Sequence, residues 1–522
     1  MTRLNIIVRF KDEATYLEAV LRAIREQHCD HLVEIVAIDN SSTDNSPAIA
    51  ARYADLLLDI SEYRPGAALN QAISSCNGDA LVILSAHAIP ANRSWLENLT
   101  AWLPNQDVLG TYGAQLYPIT SRFLDKRDLD IFSGLRPRTE THDSDFWNAN
   151  SAFSRSFWEK EQFDSSVIEL EDHHWTKKLL SQGSTWVRFE PAALVYHYGH
   201  EARNDRTYLP PSPLSDEERI EAAIAVLESQ DEQWPTVMSA GLTLGSLSHI
   251  TGIERAVPAL GAVLLGHEDF DARWRVAGAL GRIGTPPAAR FLVQGLRDPS
   301  FYARDEAAWA LARLGQVGVG ELMPALSSLD AETLPFAGLA LGLCGDETAA
   351  LHAVELLADG LMSGSIPIVR DSLYFLGEIA RVPAAARLTA TVAASLRSED
   401  DEVARAAAWC WGTLAAANTC TDDLDEREVV NVARLHPVET VRFEAIVSLG
   451  KAAVVRPSHP LAREVTRALR DDGSGRVRYG SMQSIRLMTA AGFDGIPAAR
   501  AHEYDTDFGV MFERQLTLGT TS

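Results

Sequence analysis

Carboxylates and an imidazole stand where three apolar runs of this chain stop. The run LVEIVAID (32–39) is built on Val33, Ile35, Val36 and Ile38, as a strand buried on both faces of a parallel sheet requires. It ends at Asp39, and residues 40–44 are short, polar and turn-forming, with Pro47 set to start a helix near Ala48. A carboxylate there lies at the carboxyl edge of the sheet, in the crevice where open α/β sheets bind their ligands. An equally simple account makes Asp39 and Asp44 turn and helix-cap residues. The run ALVIL (80–84) stops at Ser85-Ala86-His87, which sets an imidazole at the same edge. LNIIV (4–8) is followed by Arg9, Lys11, Asp12 and Glu13, so Lys11, Asp12, Glu13 and Asp39 are expected to converge on one pocket. A fourth group, Glu171-Asp172, opens the stretch EDHHWTKKLLSQG (171–183). Two acids suit the N-terminal end of a helix, and His173 and His174 crowd the pair with groups able to shift its proton affinity.

These groups need a scaffold that brings strand ends together. Tyr16, Leu17, Val20, Leu21 and Ile24 recur at helical spacing between the first two apolar runs. Strand, polar loop, amphipathic helix and strand make a βαβ unit, whose crossover is right-handed in nearly all cases. After the helix that follows Pro47 come a short strand over 56–60, a loop over 61–66, a helix over 67–75 carrying Asn70, the turn Gly78-Asp79 and the strand over 80–84.

In order along the chain, Asp12-Glu13 behind the first strand, DNSSTD (39–44), RPGAALNQAI (64–73), GDALVILSAHAIP (78–90), NANSAFSRSFWEKEQFD (148–164), ELEDHHW (169–175) and FEPAALVYHYGH (189–200) resemble the family-2 glycosyltransferases. These are inverting enzymes of the GT-A fold, and the resemblance covers roughly residues 3–205. It implies that Asp12 or Glu13 holds the ribose of a nucleotide sugar and that Asp39 accepts the N3–H of a uracil or thymine, since a carboxylate selects a donor edge. Arg64, Asn70, Ser85 and His87 fall on the donor side. The family's metal motif, Asp-x-Asp, reads Ser85-Ala86-His87 here, a departure that leaves two accounts open. In one, His87 holds Mn²⁺ or Mg²⁺ with His197, which like His200 falls where some relatives place a distal metal ligand. In the other, His87 or Arg64 faces the phosphates without a metal. An inverting transfer needs a base opposite the departing nucleotide, and the resemblance gives that role to Asp172, with Glu171 holding the loop or the acceptor. Trp175, Asn148 and Asn150 fall on the acceptor side. The block 115–118 (QLYP) resembles one found in relatives that build capsule-type or rhamnose-containing glycans, and Arg122, Lys126, Arg127, Arg136 and Arg138 form a basic cluster that either meets a phosphate or acidic acceptor or, the simpler account, is a solvated loop.

From Tyr208 the text changes. LPPSPLSDEE is rich in proline and acid, and Ala/Leu-rich helical periodicity follows it. RWRVAGALGRIG (273–284) matches RDEAAWALARLG (304–315), and the pattern continues at 334–345, 369–380, 403–415, 441–453 and 477–489, with a degenerate copy at 237–248. Periods of about 30–40 residues with small residues on helix faces mark an α-solenoid. The array resembles HEAT repeats. Arg273, Arg304, Arg370, Arg405, Arg442 and Arg478 recur at one repeat position, and an inter-repeat ion-pair ladder explains them better than a ligand-binding stripe. Trp274, Trp309, Trp409 and Trp411 are expected in the core.

The expectation is an α/β domain with a Rossmann-like, mostly parallel sheet (1–207), a linker (208–235) and an all-α solenoid of HEAT-like helix pairs (236–522). At 522 residues the chain exceeds what one core serves. A net charge of −24 argues against a nucleic-acid or anionic-membrane partner. Five scattered cysteines without a CxxC pair suit a reducing compartment, and no apolar run approaches membrane length, so a cytoplasmic protein is expected. The expected partners are a UDP- or dTDP-linked sugar and a hydroxyl-bearing acceptor chosen by the array. A glycan, small molecule or peptide would fill that place. A rival reading is a scaffold, impaired in catalysis, whose array binds a protein.

Overall fold

A computed structural model describes residues 3–60, 63–119, 136–142, 144, 146–198, 212–229, 233–417, 426–455 and 459–519. The chain divides into two compact units, one of residues 1–203 with 457–522 and one of residues 204–456. This division follows a different line from the sequence-derived domains. The helices after 457 were expected to close the solenoid, yet they group with the α/β unit.

In the first unit β1 (Arg3–Phe10) pairs in parallel with β2 (Leu32–Asp39) and β4 (Ala80–Ser85), and β2 pairs in parallel with β3 (Leu56–Asp59). Ile6 and Ile7 of β1 and Ile35 and Val36 of β2 are fully shielded, which is why these strands carry unbroken aliphatic runs. Helix α1 (Leu17–Arg25) buries Leu17, Val20, Leu21 and Ile24, one apolar stripe at helical spacing. Pro47 sits in the first turn of α2 (Ser46–Tyr53), where its missing N–H costs nothing. Pro65 does the same for α3 (Pro65–Ser74). In α3, Gly66 lies so close to the chain that a Cβ would come 2.5 Å from the Asp164 carbonyl oxygen, so the glycine lets the helix rest on that segment.

Beyond β4 the sheet becomes mixed. Its order is β3-β2-β1-β4-β8-β6-β9-β5, with β5 (Ala88–Pro90), β6 (Val108–Leu116), β8 (Asn150–Ser154) and β9 (Trp186–His197), and β7 (Arg138–Glu140) lies on β9. The strand β8 runs antiparallel to both β4 and β6. Short helices α4 (Trp95–Thr100), α5 (Arg155–Lys160) and α6 (Glu171–Leu180) complete the described α/β elements. Chain order reverses between β1 and β4, and the loops leaving β1, β2 and β4 open at that switch point.

The second unit is helical. Each sequence repeat from 237–248 to 441–453 is one helix, and the copy at 477–489 is the helix Gly475–Ala490 of the first unit. Glycines let the repeats close up: a Cβ on Gly412 would run into Ser448. Within the stretch expected as a linker, Asp216–Glu228 is a helix with a capping box formed by Ser215 and Glu218. The arginine ladder is present in part. Arg273 meets Asp298 at 2.6 and 2.9 Å and also donates to the carbonyls of His267 and Glu268, stapling its own turn to the next. Arg370 pairs with Asp371 and Glu402, while Arg304 instead lies over the Phe336 ring. Trp409 and Trp411 are core residues, and Trp274 and Trp309 are partly exposed. Among the described residues the cysteines are free thiols, with Cys420 outside that set. No helix among them is long and apolar enough to cross a membrane.

Candidate active site

Three non-glycine residues have left-handed backbone, Asp12 (φ 54°), Ser41 (φ 55°) and Leu170 (φ 57°), and all three lie in loops that carry the candidate carboxylates. Such conformations cost of order 1–3 kcal/mol each and persist where the surroundings over-determine them.

The Asp12 carboxylate explains one of them. Its Oδ1 accepts from Thr43 N at 2.6 Å, Thr43 Oγ1 at 3.1 Å and Asp44 N at 3.3 Å, while Asp12 N donates to Ser42 Oγ. The Thr43 N–H is the main reason the Asp12 carboxyl is held below its usual range. Asp44 reaches back to Ala14 N and its own Ser46 N, so the two loops are laced to each other. Asp39, buried at the end of β2, takes Ser42 N on Oδ1 at 2.9 Å. Asp12 is thus a brace for the loop beside Asp39.

Glu13 turns the other way. Its Oε1 lies 2.7 Å from His87 Nδ1, which joins the loop after β1 to the turn after β4. The His87 ring is 4.8 Å from the His197 ring, and His197 is 5.2 Å from Tyr117. Ser85 ends β4 and donates its N–H to Ala149 O. Arg64 caps α3 in extended backbone. His200 lies outside the described residues, as do Arg122, Lys126 and Arg127.

The acid pair opens α6. Asp172 is buried, with Oδ2 accepting from Asn148 N at 2.7 Å and Oδ1 from His173 N at 3.0 Å. Burial pushes its carboxyl up to about 6, helped by Glu171 and opposed by His173 and the two N–H groups. Glu171 Oε1 meets Arg9 Nη1 at 3.0 Å and Asn148 Nδ2 at 3.4 Å. Burial works against the charge on Arg9, but the pull of Tyr63, Glu171 and Asp172 more than offsets it and holds the guanidinium above its ordinary range. In the sequence Arg9 reads as one more polar residue after an aliphatic run, and the fold places it inside β1 facing Glu171.

The structure brings together Glu13, His87 and His197, and separately Arg9, Asn148, Glu171 and Asp172. Asn70, Trp175 and Asn150 lie instead in packed surroundings. Asn70 receives Trp158 Nε1 at 2.9 Å and donates to Phe163 O at 2.7 Å, tying α3 to the segment after α5. Trp175 is 1% exposed within a cluster of Phe146, Phe153 and Phe163, so its ring has no face left for an acceptor. Asn150, fully buried, joins Trp95 Nε1 to the carbonyls of Ala114 and Ala193. Arg138 is bound to Glu140 and Tyr112 instead of being solvated, whereas Arg136 is exposed.

Residues 5–161 match the model of glycosyl transferase family 2, and residues 220–312 match that of HEAT repeats. Residues 5–161 thus form a glycosyl transferase family 2 domain, and residues 220–312 form HEAT repeats. Similar solved structures include the mannosyltransferase PcManGT from Pyrobaculum calidifontis in complex with GDP-Man and Mn²⁺, at 21% identity over 62% of this chain and 88% of that one, with a TM-score of 0.32. TarS 1-349 from S. aureus is 13% identical over 62% of this chain and 91% of its own, with a TM-score of 0.32. Glucosyl-3-phosphoglycerate synthase from Mycobacterium tuberculosis, with Mn²⁺, UDP and glucosyl-3-phosphoglycerate bound, is 16% identical over 39% of this chain and 73% of its own, with a TM-score of 0.28. No curated protein matches the chain.

No three His, Cys, Asp or Glu side chains gather around a metal position among the described residues. The Glu13–His87 pair nonetheless has the chemistry of a ligand held by its outer partner: a hydrogen on Nδ1 donated to the carboxylate leaves Nε2 with a lone pair. That nitrogen would hold one side of a divalent ion, and imidazole suits the later transition metals better than Mg²⁺.

Proposed function

We propose that this glycosyltransferase moves a sugar, with inversion, from a UDP- or dTDP-linked donor to a hydroxyl-type acceptor, and that Asp172 is the base. The observation that carries the reading is the buried Asp172 at the start of α6, held by Asn148 N and raised to about 6, beside a Glu171 neutralised by Arg9. Two neighbouring carboxylates with environments this different divide their roles, and the raised one exchanges protons near neutrality. Asp172 takes the proton of the acceptor hydroxyl as its oxygen bonds to the anomeric carbon. The bond from that carbon to the nucleoside diphosphate breaks on the opposite face.

On the donor side Asp39 Oδ2 accepts the base N3–H, since Oδ1 is engaged by Ser42 N. Asp12 keeps that loop in place. Glu13 orients His87, and His87 with His197 faces the diphosphate. If Mn²⁺ or Mg²⁺ takes part, these are the residues that would hold it, and it would supply charge to neutralise the departing diphosphate. The HEAT repeats offer an extended surface for selecting an acceptor or partner protein.

The test is a thermal-shift panel of UDP-, dTDP-, GDP- and CMP-sugars, each with Mn²⁺ and with EDTA. A ligand that binds only the native state raises the melting temperature by mass action. Stabilisation by the uracil or thymine donors alone supports the reading. A flat response from a folded protein would overturn it.

A further inference from the structure

We propose that the C-terminal helices, more than 250 residues beyond β9 in the chain, are a positioning clamp for the diphosphate end of the transferase site, acting through Tyr196 and Tyr198. This rests on the reading above that Glu13, His87 and His197 serve the donor.

His197 lies between the two tyrosines, and their contacts divide by parity, as alternate strand residues must. On one face His197 meets His87 and Tyr117. On the other, Tyr196 stacks on Tyr479 at 3.7 Å and donates its hydroxyl to Asp507 Oδ2 at 2.7 Å. Tyr198 donates to Glu513 Oε1 at 3.0 Å, and its oxygen lies 3.0 Å from the Tyr479 hydroxyl. Glu513 is fully buried, and its charge is met by Arg486 Nε at 2.7 Å and Gln483 Nε2 at 3.0 Å.

Apolar residues would hold helices against a sheet at lower cost than a buried carboxylate with three donors. What the polar network adds is direction, because each hydroxyl is fixed at one distance and angle. That direction reaches the site by two further routes. Tyr198 N donates to His87 O at 2.9 Å, so fixing Tyr198 fixes the turn that carries His87. Tyr16, whose N–H bonds to Glu13 O, stacks on Tyr198 at 5.2 Å and packs against Phe512, which seats the Glu13 turn on the same clamp. Glu13, His87 and His197 therefore each touch an element that the C-terminal helices hold.

The experiment uses the full chain with ¹⁵N-labelled histidine. Glu513→Gln removes the charge that Arg486 meets, and Tyr198→Phe removes the hydroxyl that bonds both Glu513 and Tyr479; each keeps volume. Thr100→Val, which removes a buried hydroxyl bonded to Leu96 O elsewhere in the unit, is the control for lost stability alone. The clamp predicts that the imidazole signals of His87 and His197 move in both network variants and stay in place in the control. It also predicts that affinity for UDP with Mn²⁺ falls by about 10–100-fold, the usual effect of losing an outer-shell partner. Unmoved signals in folded Tyr198→Phe would overturn the proposal, and this variant decides the matter if Glu513→Gln does not fold. A wild-type chain that binds no UDP would sink the donor reading, while the imidazole signals would still report on the clamp.

Discussion

Replacing Arg9 with methionine should expose how the acid pair is kept apart. Arg9 Nη1 lies 3.0 Å from Glu171 Oε1, with side chains 20% and 8% exposed. Two charges at that distance attract by about 5 kcal/mol at an effective dielectric of about 20, and desolvation offsets much of it. Removing only the cation leaves a buried carboxylate without its counter-charge, which costs about 3–5 kcal/mol. Arg9→Met is therefore expected to lose about that much stability at pH 7.5. The loss should shrink at pH 5, because a carboxylate stranded by burial has its folded-state pKa raised, and stability from such a group is lost as pH rises through that value. Arg9→Met with Glu171→Gln removes both charges and should return to within about 1 kcal/mol of the parent, as apolar replacements of buried pairs often do. Urea unfolding of the four proteins of this cycle at both pH values provides the assay. A single Arg9→Met variant as stable as the parent at pH 7.5, or a double variant no better than the single, would refute the claim that this pair is a mutually compensating one.

Other outcomes follow from the same geometry. With Asp172 as base, kcat/KM should fall as pH drops through about 6, the value to which burial raises it, and pH–rate measurements should show that limb. Burial pushes the Asp507 carboxyl up to about 7, so the folded chain binds a proton that the unfolded chain releases above about 4. Stability from this site is then highest below about 4, should decline by about 4 kcal/mol as pH rises from there to about 7, and should level off above that. Melting temperatures of Asp507→Asn measured across that window should show a flatter slope than the parent. Glu13→Gln leaves His87 without its anionic partner, and titration calorimetry with UDP and Mn²⁺ should record an affinity about 10–100-fold lower.

Much of the first unit was legible because its strands are buried on both faces and its polar residues begin where the strands end. The stop after Ile38 marked Asp39, and the stop after Leu84 marked His87, without reference to anything distant in the chain. What escaped depends on partners far apart. Arg9 looks like any polar residue after an aliphatic run, and only the fold brings it to Glu171, 162 residues later. Trp175, Asn70 and Asn150 stand in motifs that resemble a transferase site, yet the fold spends their polar groups on one another's neighbourhoods: the motif carries packing as well as chemistry. The helices after 457 share the repeat period of the array, and a period says how helices stack but not what the last of them covers. Asp507 and Glu513 lie beyond the last sequence repeat, so nothing in the period marked them as partners of β9. The capping box Ser215-x-x-Glu218 was visible in a stretch whose prolines suggested only a linker.

The most direct test of the central claim is turnover by Asp172→Asn with the uracil or thymine donor the protein binds, followed as release of the nucleoside diphosphate. Loss of a general base predicts a fall of about 10²–10⁴-fold, with the dissociation constant for the nucleotide unchanged. Turnover equal to that of the parent would remove Asp172 from the mechanism and with it the reading of Glu171 and Arg9 as its supporting pair.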